Sequence, residues 1–314
     1  MGRTDAVTKA YMSKPQYFAD AFNSSIFHGR QVVKAGSLSL QEMDPTELGI
    51  IITEDTKEIA QKVRDILKKS VVMHDEKMFY LLLGIENQTE IHYAMPVRNL
   101  LYDALNYGQQ VNEIAAMHKK KKDVTGAEFL SGFSKTDKIM PVITLTVYFG
   151  SEEWDAPRSL KEMFLDGIDE DILAEVDDYR LHLIVPAEIQ DFSLFQTDFG
   201  KAMKYIAVST SAEKIKEISK DAAFAKVEAD TVRLINECTG SNITVQEGEV
   251  YVNMCKGLEE LRAEGIAEGR AEGIAEGTLK TLVALVQKGL LTMKDAAEQA
   301  GMTVGELQQQ MQKR

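Results

Sequence analysis

Two hydrophobic periods alternate along residues 1–150, and each period predicts a different element. In residues 14–27 the apolar side chains recur at helical spacing, and Gly29 follows as a helix stop. Residues 65–72 and 79–86 are rich in apolar and β-branched side chains, which is typical of two β-strands joined by a turn. The pattern predicts a helix followed by a hairpin.

A second helix and a third strand follow. Apolar residues at helical spacing come after Pro96, which suits the first helical turn because it has no N–H to leave unpaired, and they continue to the lysine run 119–122. Residues 141–149 alternate and are rich in β-branched side chains, as expected for a strand. Segment 31–53 consists of extended pieces and turns, and 54–63 is compatible with a helix or with the approach to a strand. The order helix, two strands, helix, strand predicts an α/β core with a crossover helix.

In residues 151–250 the hydrophobic periodicity predicts further secondary-structure elements, and no catalytic or metal-binding motif is present. It predicts a strand at 181–185 and helices at 198–208, 211–219 and 222–238. These elements extend the core with a mainly helical segment.

Residues 263–278 repeat the unit Ala-Glu-Gly-x. Because four residues exceed one helical turn, the Ala, Glu and Gly columns drift around a helix and form no single apolar stripe. Each Gly costs roughly 1 kcal/mol in a helix, so the repeat predicts an exposed linker or association helix rather than a core helix.

Residues 281–314 predict two short helices. Thr292 and Thr303 are each followed three residues later by an acid, which is a capping-box signal, and Gly301 marks the turn between the helices. The pair resembles a helix-turn-helix hairpin, but its second helix has no Arg or Lys before Lys313, which argues against DNA recognition.

Composition bounds the class of protein. The chain has 314 residues, about two domains' worth at roughly 100–200 residues each, and 44% of them are apolar, enough for folded cores. Its two cysteines are too few for a disulfide framework and lack zinc-site spacing. No run of about 18 or more apolar residues is present. The sequence therefore predicts a folded, soluble, cytoplasmic protein that does not enter a membrane.

The charge is distributed unevenly. A net charge of −13 argues against non-specific coating of nucleic acid. Residues 1–150 carry 18 basic and 18 acidic side chains, so the remaining 18 basic and 31 acidic side chains lie in 151–314. The neutral first half can still present a phosphate-binding face, since counterion release depends on local Lys and Arg contacts.

The candidate chemistry lies where Glu86-Asn87-Gln88 ends a strongly apolar run. Side chains alternate along a strand, so Glu86 and Gln88 point to one face while Asn87 points to the other and offers its main-chain carbonyl. If the preceding strand brings Asp65 alongside, two carboxylates, a carbonyl and an amide converge. Such hard oxygen ligands suit Mg²⁺ or Mn²⁺ rather than zinc, and carboxylates beside a core need a cation.

The motifs around this triplet resemble those of a known family. The segments GIENQ (84–88), YAMPVR (93–98), YDA (102–104) and YGQQ (107–110) are similar to segments of the Rpn family of recombination-promoting nucleases, also described as transposases. This family belongs to the PD-(D/E)XK nuclease superfamily. The resemblance covers residues 14–200, and the Ala-Glu-Gly tail is similar to that of many members. It implies a bacterial, metal-dependent DNA endonuclease with a restriction-endonuclease-like core in the order helix, strands, helix, strand, followed by a helical C-terminal region.

The resemblance also implies roles for individual residues. Asp65 corresponds to the strand aspartate of the superfamily and Glu86 to the acid of its (D/E)XK triplet. The implied ligands of Mg²⁺ are Asp65, Glu86 and Asn87. Mn²⁺ is the alternative metal. Gln88 completes the catalytic set where lysine is most usual, and it can hydrogen-bond an attacking water but supplies no positive charge. Glutamine is also found here in the family, so a variant active site and a dead enzyme are both open. Asp20 in the first helix is a candidate auxiliary acid.

With this resemblance the chain divides into four predicted parts. They are a nuclease-like domain, a helical extension, the Ala-Glu-Gly helix or linker, and a small helix-turn-helix-like tail, at 14–200, 201–255, 256–280 and 281–314. A homodimer formed through the C-terminal helices is a further prediction, because double-strand cleavage suits two active sites.

Several roles stay open at this point. Arg98 and Tyr102, spaced i and i+4 on one helix, either position phosphate beside the metal or serve the fold, with Arg98 neutralising a carboxylate and Tyr102 packing in the core. The histidines lack metal-ligand spacing, and the acidic neighbours of Trp154 predict a surface position. The function implied by the resemblance is that of an endonuclease or strand-transfer enzyme that binds DNA and acts in the recombination or transposition of mobile DNA. The alternative is a catalytically inactive nuclease-fold scaffold that binds DNA or protein.

Overall fold

A computed structural model describes residues 3–40, 66–74 and 77–312 of the chain. The chain divides into two compact units, Met1–Met254 and Cys255–Arg314. In the described part of the chain, no helix combines the length and the apolar character needed to cross a membrane.

The first unit is built on a five-stranded sheet of mixed direction. Its strands are β1 (Leu38–Leu40), β2 (Ile66–His74), β3 (Lys77–Gln88), β4 (Val142–Tyr148) and β5 (His182–Ile184), and they follow the same order in the sheet as in the chain. β1, β2 and β3 pair antiparallel, whereas β3, β4 and β5 pair parallel. Parallel neighbours need crossover connections, so helices come between them in the chain. The predicted mixed α/β class is confirmed.

Helices account for most of the remaining first unit. They are α1 (Arg3–Met12), α2 (Pro15–Ser25), α3 (Met95–Lys121), α4 (Gly126–Ser131), α5 (Glu170–Ala174), α6 (Asp198–Val208), α7 (Ala212–Ile218) and α8 (Ala229–Thr239). Two short strands, β6 (Val227–Glu228) and β7 (Tyr251–Val252), form a separate antiparallel pair.

Most predicted elements of this unit are confirmed. The helices α2, α3, α6 and α7 and the strands β2, β3, β4 and β5 each lie within two residues of the bounds predicted from the sequence. Hydrophobic period identified these elements. In α3, however, the apolar residues that carried the prediction are not the buried ones, and the buried side chains are mostly polar: Met95, Pro96, Asn99, Tyr102, Asp103, Asn106 and Gln110. The segment 54–63, predicted as helix or strand approach, lies outside the described residues.

Two predictions about the first unit are wrong, and three of its described helices, α1, α4 and α5, had no sequence prediction. Residues 222–238, predicted as one helix, divide into a 3-10 turn at Ala222–Ala225, the strand β6 and the helix α8. Trp154 is 4% exposed rather than at the surface, and it packs edge-on against Tyr148 with ring centroids 5.5 Å apart. Helix α1 had no sequence prediction, because its apolar residues do not align on one face.

Helices cover both faces of the sheet. Thr146 on β4, the register partner of Glu86 on β3, accepts a hydrogen bond from Asn99, so α3 covers this face. On the opposite face the buried Lys68 of β2 donates to the carbonyl oxygen of Ser13, next to the end of α1. Because helices pack on both faces of the sheet, the site described below lies at the ends of the strands.

The second unit is helical and contains α9 (Met254–Gln287, of which Met254 belongs to the first unit), α10 (Met293–Gln299) and α11 (Val304–Gln312). Both predicted capping boxes are confirmed: the backbone N–H of Asp295 donates to Thr292 Oγ1 at 3.2 Å, and that of Glu306 donates to Thr303 Oγ1 at 3.3 Å. The core of this unit is formed by Leu282, Val283, Ala296, Ala297 and Leu307.

The Ala-Glu-Gly repeat forms the middle of α9. Residues 262–278 are exposed all round the helix, in agreement with the exposed helix predicted from the repeat. A Cβ atom added at any of the four repeat glycines would meet no neighbouring atom within 4 Å: Gly265, Gly269, Gly273 and Gly277. These glycines therefore serve no close packing contact within the described residues.

Candidate functional site

The predicted acid Glu86 lies near the C-terminal end of β3 and is fully buried. Strand alternation places Glu86 and Gln88 on one face, where their register partners on β4 are Thr146 and Tyr148. Asn87 points to the opposite face and is also buried. The alternation predicted from the triplet is therefore present, and the Glu86 face is the one covered by α3.

Arg98 is the cation beside Glu86. It lies in the first turns of α3, and its Nη2 atom is 3.4 Å from Oε2 of Glu86, with 28% of the arginine side chain exposed. Its Nε–H donates to the hydroxyl oxygen of Tyr102 at 3.1 Å, and Tyr102 is buried. A buried carboxylate is costly without a cation, and this arginine places positive charge beside Glu86.

A row of polar contacts continues along α3 from this ion pair. Asn99 donates to Thr146 Oγ1 at 2.9 Å. Asp103 accepts from the hydroxyl groups of Thr144 at 2.5 Å and of Tyr179 at 2.6 Å. These contacts fix α3 on β4 and thereby fix Arg98 over Glu86. Asn99 and Asp103 were not predicted as partners, although their i and i+4 spacing places them on one helix face. That buried face of α3 also carries the polar residues Asn106 and Gln110.

A cleft of about 480 Å³ opens at the C-terminal end of β3. Its lining includes the polar residues Asp5, Asn87, Gln88, Glu90, His92 and Arg98. Asp5 comes from α1, and Thr89 Oγ1 donates to its Oδ1 atom at 3.4 Å. Sequence reasoning missed Asp5, Glu90 and His92, because nothing in the sequence indicates that α1 reaches the end of β3.

Asp65, the second predicted ligand, lies outside the described residues. It directly precedes Ile66 in the sequence, the first residue of β2, and Ile66 pairs across the sheet with Ile85. Ile85 in turn directly precedes Glu86. The metal and catalytic roles of Asp65 stay predictions.

Asp20, the predicted auxiliary acid, lies on α2 and is 3% exposed. Its carboxylate accepts from the backbone N–H groups of Gln196 and Thr197, each at 2.9 Å, and from the Thr197 hydroxyl at 2.5 Å. Burial raises the pKa of Asp20, and these three hydrogen bonds act in the opposite direction. Since Thr197 is the N-cap of α6, Asp20 anchors the start of that helix, and its catalytic role stays a prediction.

The predicted ligands of a hard cation are all oxygen donors. Among residues 3–40, 66–74 and 77–312, no three His, Cys, Asp or Glu side chains gather in a metal-binding group. The predicted set is therefore the carboxylate of Glu86 and the carbonyl of Asn87, with Asp65 beyond the described part. The guanidinium of Arg98 already supplies positive charge beside the buried Glu86 carboxylate.

Comparison with known proteins adds no relative. No family model, no curated protein and no solved structure matched the chain. The function must therefore be argued from the site.

Proposed function

We propose that this protein is a metal-dependent DNA endonuclease whose active site lies at the C-terminal end of β3. The observation that carries the proposal is the fully buried Glu86, placed against Arg98 and two residues before Gln88, which lines an open polar cleft. Arg98 lines the same cleft, and charged groups in a cleft are a feature of catalytic sites. The resemblance to Rpn nucleases assigns catalytic roles to the same residues.

The position of Asp65 in the chain supports a second carboxylate at this site. Consecutive Cα atoms are about 3.8 Å apart, so Asp65 is tethered to Ile66, and Ile66 pairs with the residue before Glu86. In the proposed site Asp65, Glu86 and the carbonyl of Asn87 would hold Mg²⁺ or Mn²⁺.

The proposed chemistry divides between the cation and the protein. A bound divalent cation would lower the pKa of a water molecule and polarise the phosphodiester. Gln88 orients the attacking water by a hydrogen bond, since it has no charge with which to activate it. Arg98, held by Tyr102 and 28% exposed toward the cleft, binds a phosphate oxygen. Hydrolysis and strand transfer share this arrangement.

The order of elements also supports the proposal. The chain runs α2, three strands, α3 and a further strand, which agrees with the helix, strands, helix, strand order implied by the resemblance. The proposed PD-(D/E)XK core would place Glu86 on its third strand.

Cleavage of supercoiled plasmid by the full chain tests the proposal. Wild type, Asp65→Asn and Glu86→Gln are compared in Mg²⁺, Mn²⁺ and chelator, with Glu113→Gln as the matched control on the exposed side of α3. We expect metal-dependent nicking in wild type and Glu113→Gln, and a loss of about 100-fold or more in both active-site variants. Circular dichroism verifies that each variant is folded. Undiminished cleavage by folded Glu86→Gln would refute the assignment.

A catalytically inactive scaffold is the second candidate, and one observation favours it. Arg98 already compensates the charge of Glu86, so the buried pair is stable without a metal ion. The substitution of Gln88 for the usual lysine points the same way. Thermal unfolding with and without Mn²⁺ separates the candidates. A nuclease is stabilised by the metal in wild type and not in Glu86→Gln, whereas a scaffold is unaffected in both.

A further inference from the structure

A second cavity lies at the opposite end of α3 from the cleft at the C-terminal end of β3. It has a volume of about 580 Å³ and lies between the last turns of α3 and the short helix α4. Arg98 and Lys119 are 21 residues apart on α3, so the two sites are separated by about 30 Å of helix. A cavity of this size falls within the range of roughly 300–1,000 Å³ that is typical of small-molecule sites.

The cavity is held in shape by an ion-pair clamp. His118 Nδ1 lies 2.6 Å from Oδ1 of Asp123, and His118 Nε2 lies 2.8 Å from Oδ2 of Asp137. A neutral imidazole has only one N–H to donate, so two carboxylate partners require the charged form. The backbone N–H of Ser134 also donates to Asp137 at 2.6 Å. The clamp thus ties the chain on both sides of α4 to the end of α3.

A glycine brings α4 close to α3. Gly132 has a φ of +68°, and a Cβ atom added to it would lie 2.6 Å from Cβ of Ala115. Only glycine satisfies both the left-handed backbone and this close approach without strain. Ala115 and Gly132 both line the cavity, so the cavity floor depends on this contact.

The wall of the cavity is apolar and open to a ligand. Ala115, Val124, Phe129 and Leu130 contribute its apolar surface. Phe129 is 66% exposed and Leu130 is 86% exposed, which leaves two large neighbouring apolar side chains in water. A ligand that buried these two side chains would gain hydrophobic free energy of binding.

The mouth of the cavity is positively charged. Lys119 and Lys122 line it, and within the described residues neither forms an ion pair. The nearby carboxylates of Asp123 and Asp137 are occupied by His118. Lysines also suit the negative end of a helix dipole, but Lys120 and Lys121 share that role without lining the cavity.

We propose that this cavity binds a small amphiphilic anion, a ligand with an alkyl or aromatic body and one carboxylate or sulfonate group. The body packs against Phe129 and Leu130, and the anionic group contacts Lys119 and Lys122. Charge complementarity selects the anion, since the lining contains cations and no carboxylate. The proposal is independent of nuclease activity, because it uses none of the residues of the Glu86 site.

Fluorescence titration of the full chain with 8-anilino-1-naphthalenesulfonate tests the proposal. We expect saturable binding at one site per chain. Octanoate should displace the probe at least about tenfold more effectively than octylamine, which has the same alkyl body and the opposite charge. Equal displacement by the two competitors, or no saturable binding, would overturn the proposal.

Paired variants locate the site. Lys119→Glu should weaken probe binding about tenfold or more, since it removes a charge-assisted contact, whereas Lys120→Glu makes the same charge change outside the cavity and should alter it less than about twofold. Phe129→Ala, which keeps every charge, should also weaken binding. Thermal unfolding verifies that all three variants are folded. Equal effects of Lys119→Glu and Lys120→Glu would refute the proposed site.

Discussion

The two ends of α3 use ionic contacts in opposite ways. At its start an arginine of the helix compensates a strand carboxylate that is fully buried, with Arg98 against Glu86. At its end a histidine of the helix lies between two carboxylates that flank α4 in the chain, and Asp123 is 44% exposed. Charges in a dry site interact strongly and cannot be left unpaired, whereas exposed charges are screened by water. We therefore expect the first end to be rigid and the second to respond to conditions.

The largest expected effect is at the buried end. Arg98→Met should destabilise the first unit by about 3–5 kcal/mol, because it removes the guanidinium that lies 3.4 Å from the buried carboxylate of Glu86. The measurement is urea unfolding in chelator, followed by the fluorescence of Trp154, the single tryptophan and a buried residue of this unit.

The double variant Glu86→Gln/Arg98→Met is the control for this prediction. It removes both charges, so it should recover a large part of the lost stability. A cost below about 1 kcal/mol for Arg98→Met alone would remove the contrast between the two ends of α3.

The next effect is at the exposed end and is steric. Gly132→Ala should destabilise α4 by about 2–4 kcal/mol, since it combines a left-handed backbone with a contact 2.6 Å from Ala115 Cβ. Gly126→Ala is the matched control: its φ is +58°, but nothing lies within 4 Å of an added Cβ. It should cost only about 1 kcal/mol. Hydrogen exchange of the α4 amides measures both, and equal costs would contradict the close approach.

A smaller effect is expected between the two ends. Asp103→Ala should cost about 1–3 kcal/mol, because Thr144, which is 2% exposed, loses its acceptor in a dry environment. Tyr179→Phe removes one donor from the same carboxylate and should cost less. Urea unfolding is again the measurement. If Tyr179→Phe were the more damaging variant, Asp103 would not be the centre of this contact.

The smallest effect concerns pH. The hydrogen bond to Asp123, and then that to Asp137, raise the pKa of His118 above its ordinary value of 6.5. A raised pKa stabilises the folded state fully below pH 6.5, and this contribution is lost as the pH rises through the folded-state pKa. The pKa values of Asp123 and Asp137 are lowered, Asp123 chiefly by the His118 hydrogen bond and Asp137 chiefly by the backbone N–H of Ser134. Their contribution is lost as the pH falls through those lowered values.

The clamp should therefore be strongest between the two titration ranges. Melting of wild type and His118→Gln, compared from pH 4 to pH 9, checks this expectation. The stability difference should be largest near pH 5–6 and should shrink toward pH 9. A difference that does not depend on pH would show that His118 is not charged in the clamp.

The contrast also separates what the sequence could predict from what it could not. The alternation that directs Glu86 and Gln88 to one face follows from strand geometry, and the proximity of Arg98 and Tyr102 follows from helical spacing, so local periods were sufficient. The His118 clamp joins residues 19 positions apart across a loop, with no periodic signal. Trp154 was misjudged because Glu152 and Glu153 suggest a surface, whereas its ring turns inward against Tyr148.

Distance along the chain explains the other omissions. Asp5 reaches the cleft at the C-terminal end of β3 only because α1 packs near that end. No local sequence pattern encodes this tertiary contact. Asp20 was singled out as an acid on a helix, but its hydrogen bonds to Gln196 and Thr197 depend on a segment about 176 residues away. Periodicity identifies elements, and only the folded chain identifies which of their polar groups meet.

The exposed repeat of α9 has a consequence for how the chain can change during evolution. Each Ala-Glu-Gly-x unit is four residues, so gaining or losing one unit alters the helix by about 6 Å and turns the following residues by about 40°. No neighbouring atom lies within 4 Å of where its glycines would carry a side chain, so such a change breaks no packing contact there. The helix can therefore serve as a spacer whose length varies in whole units among descendants of this gene.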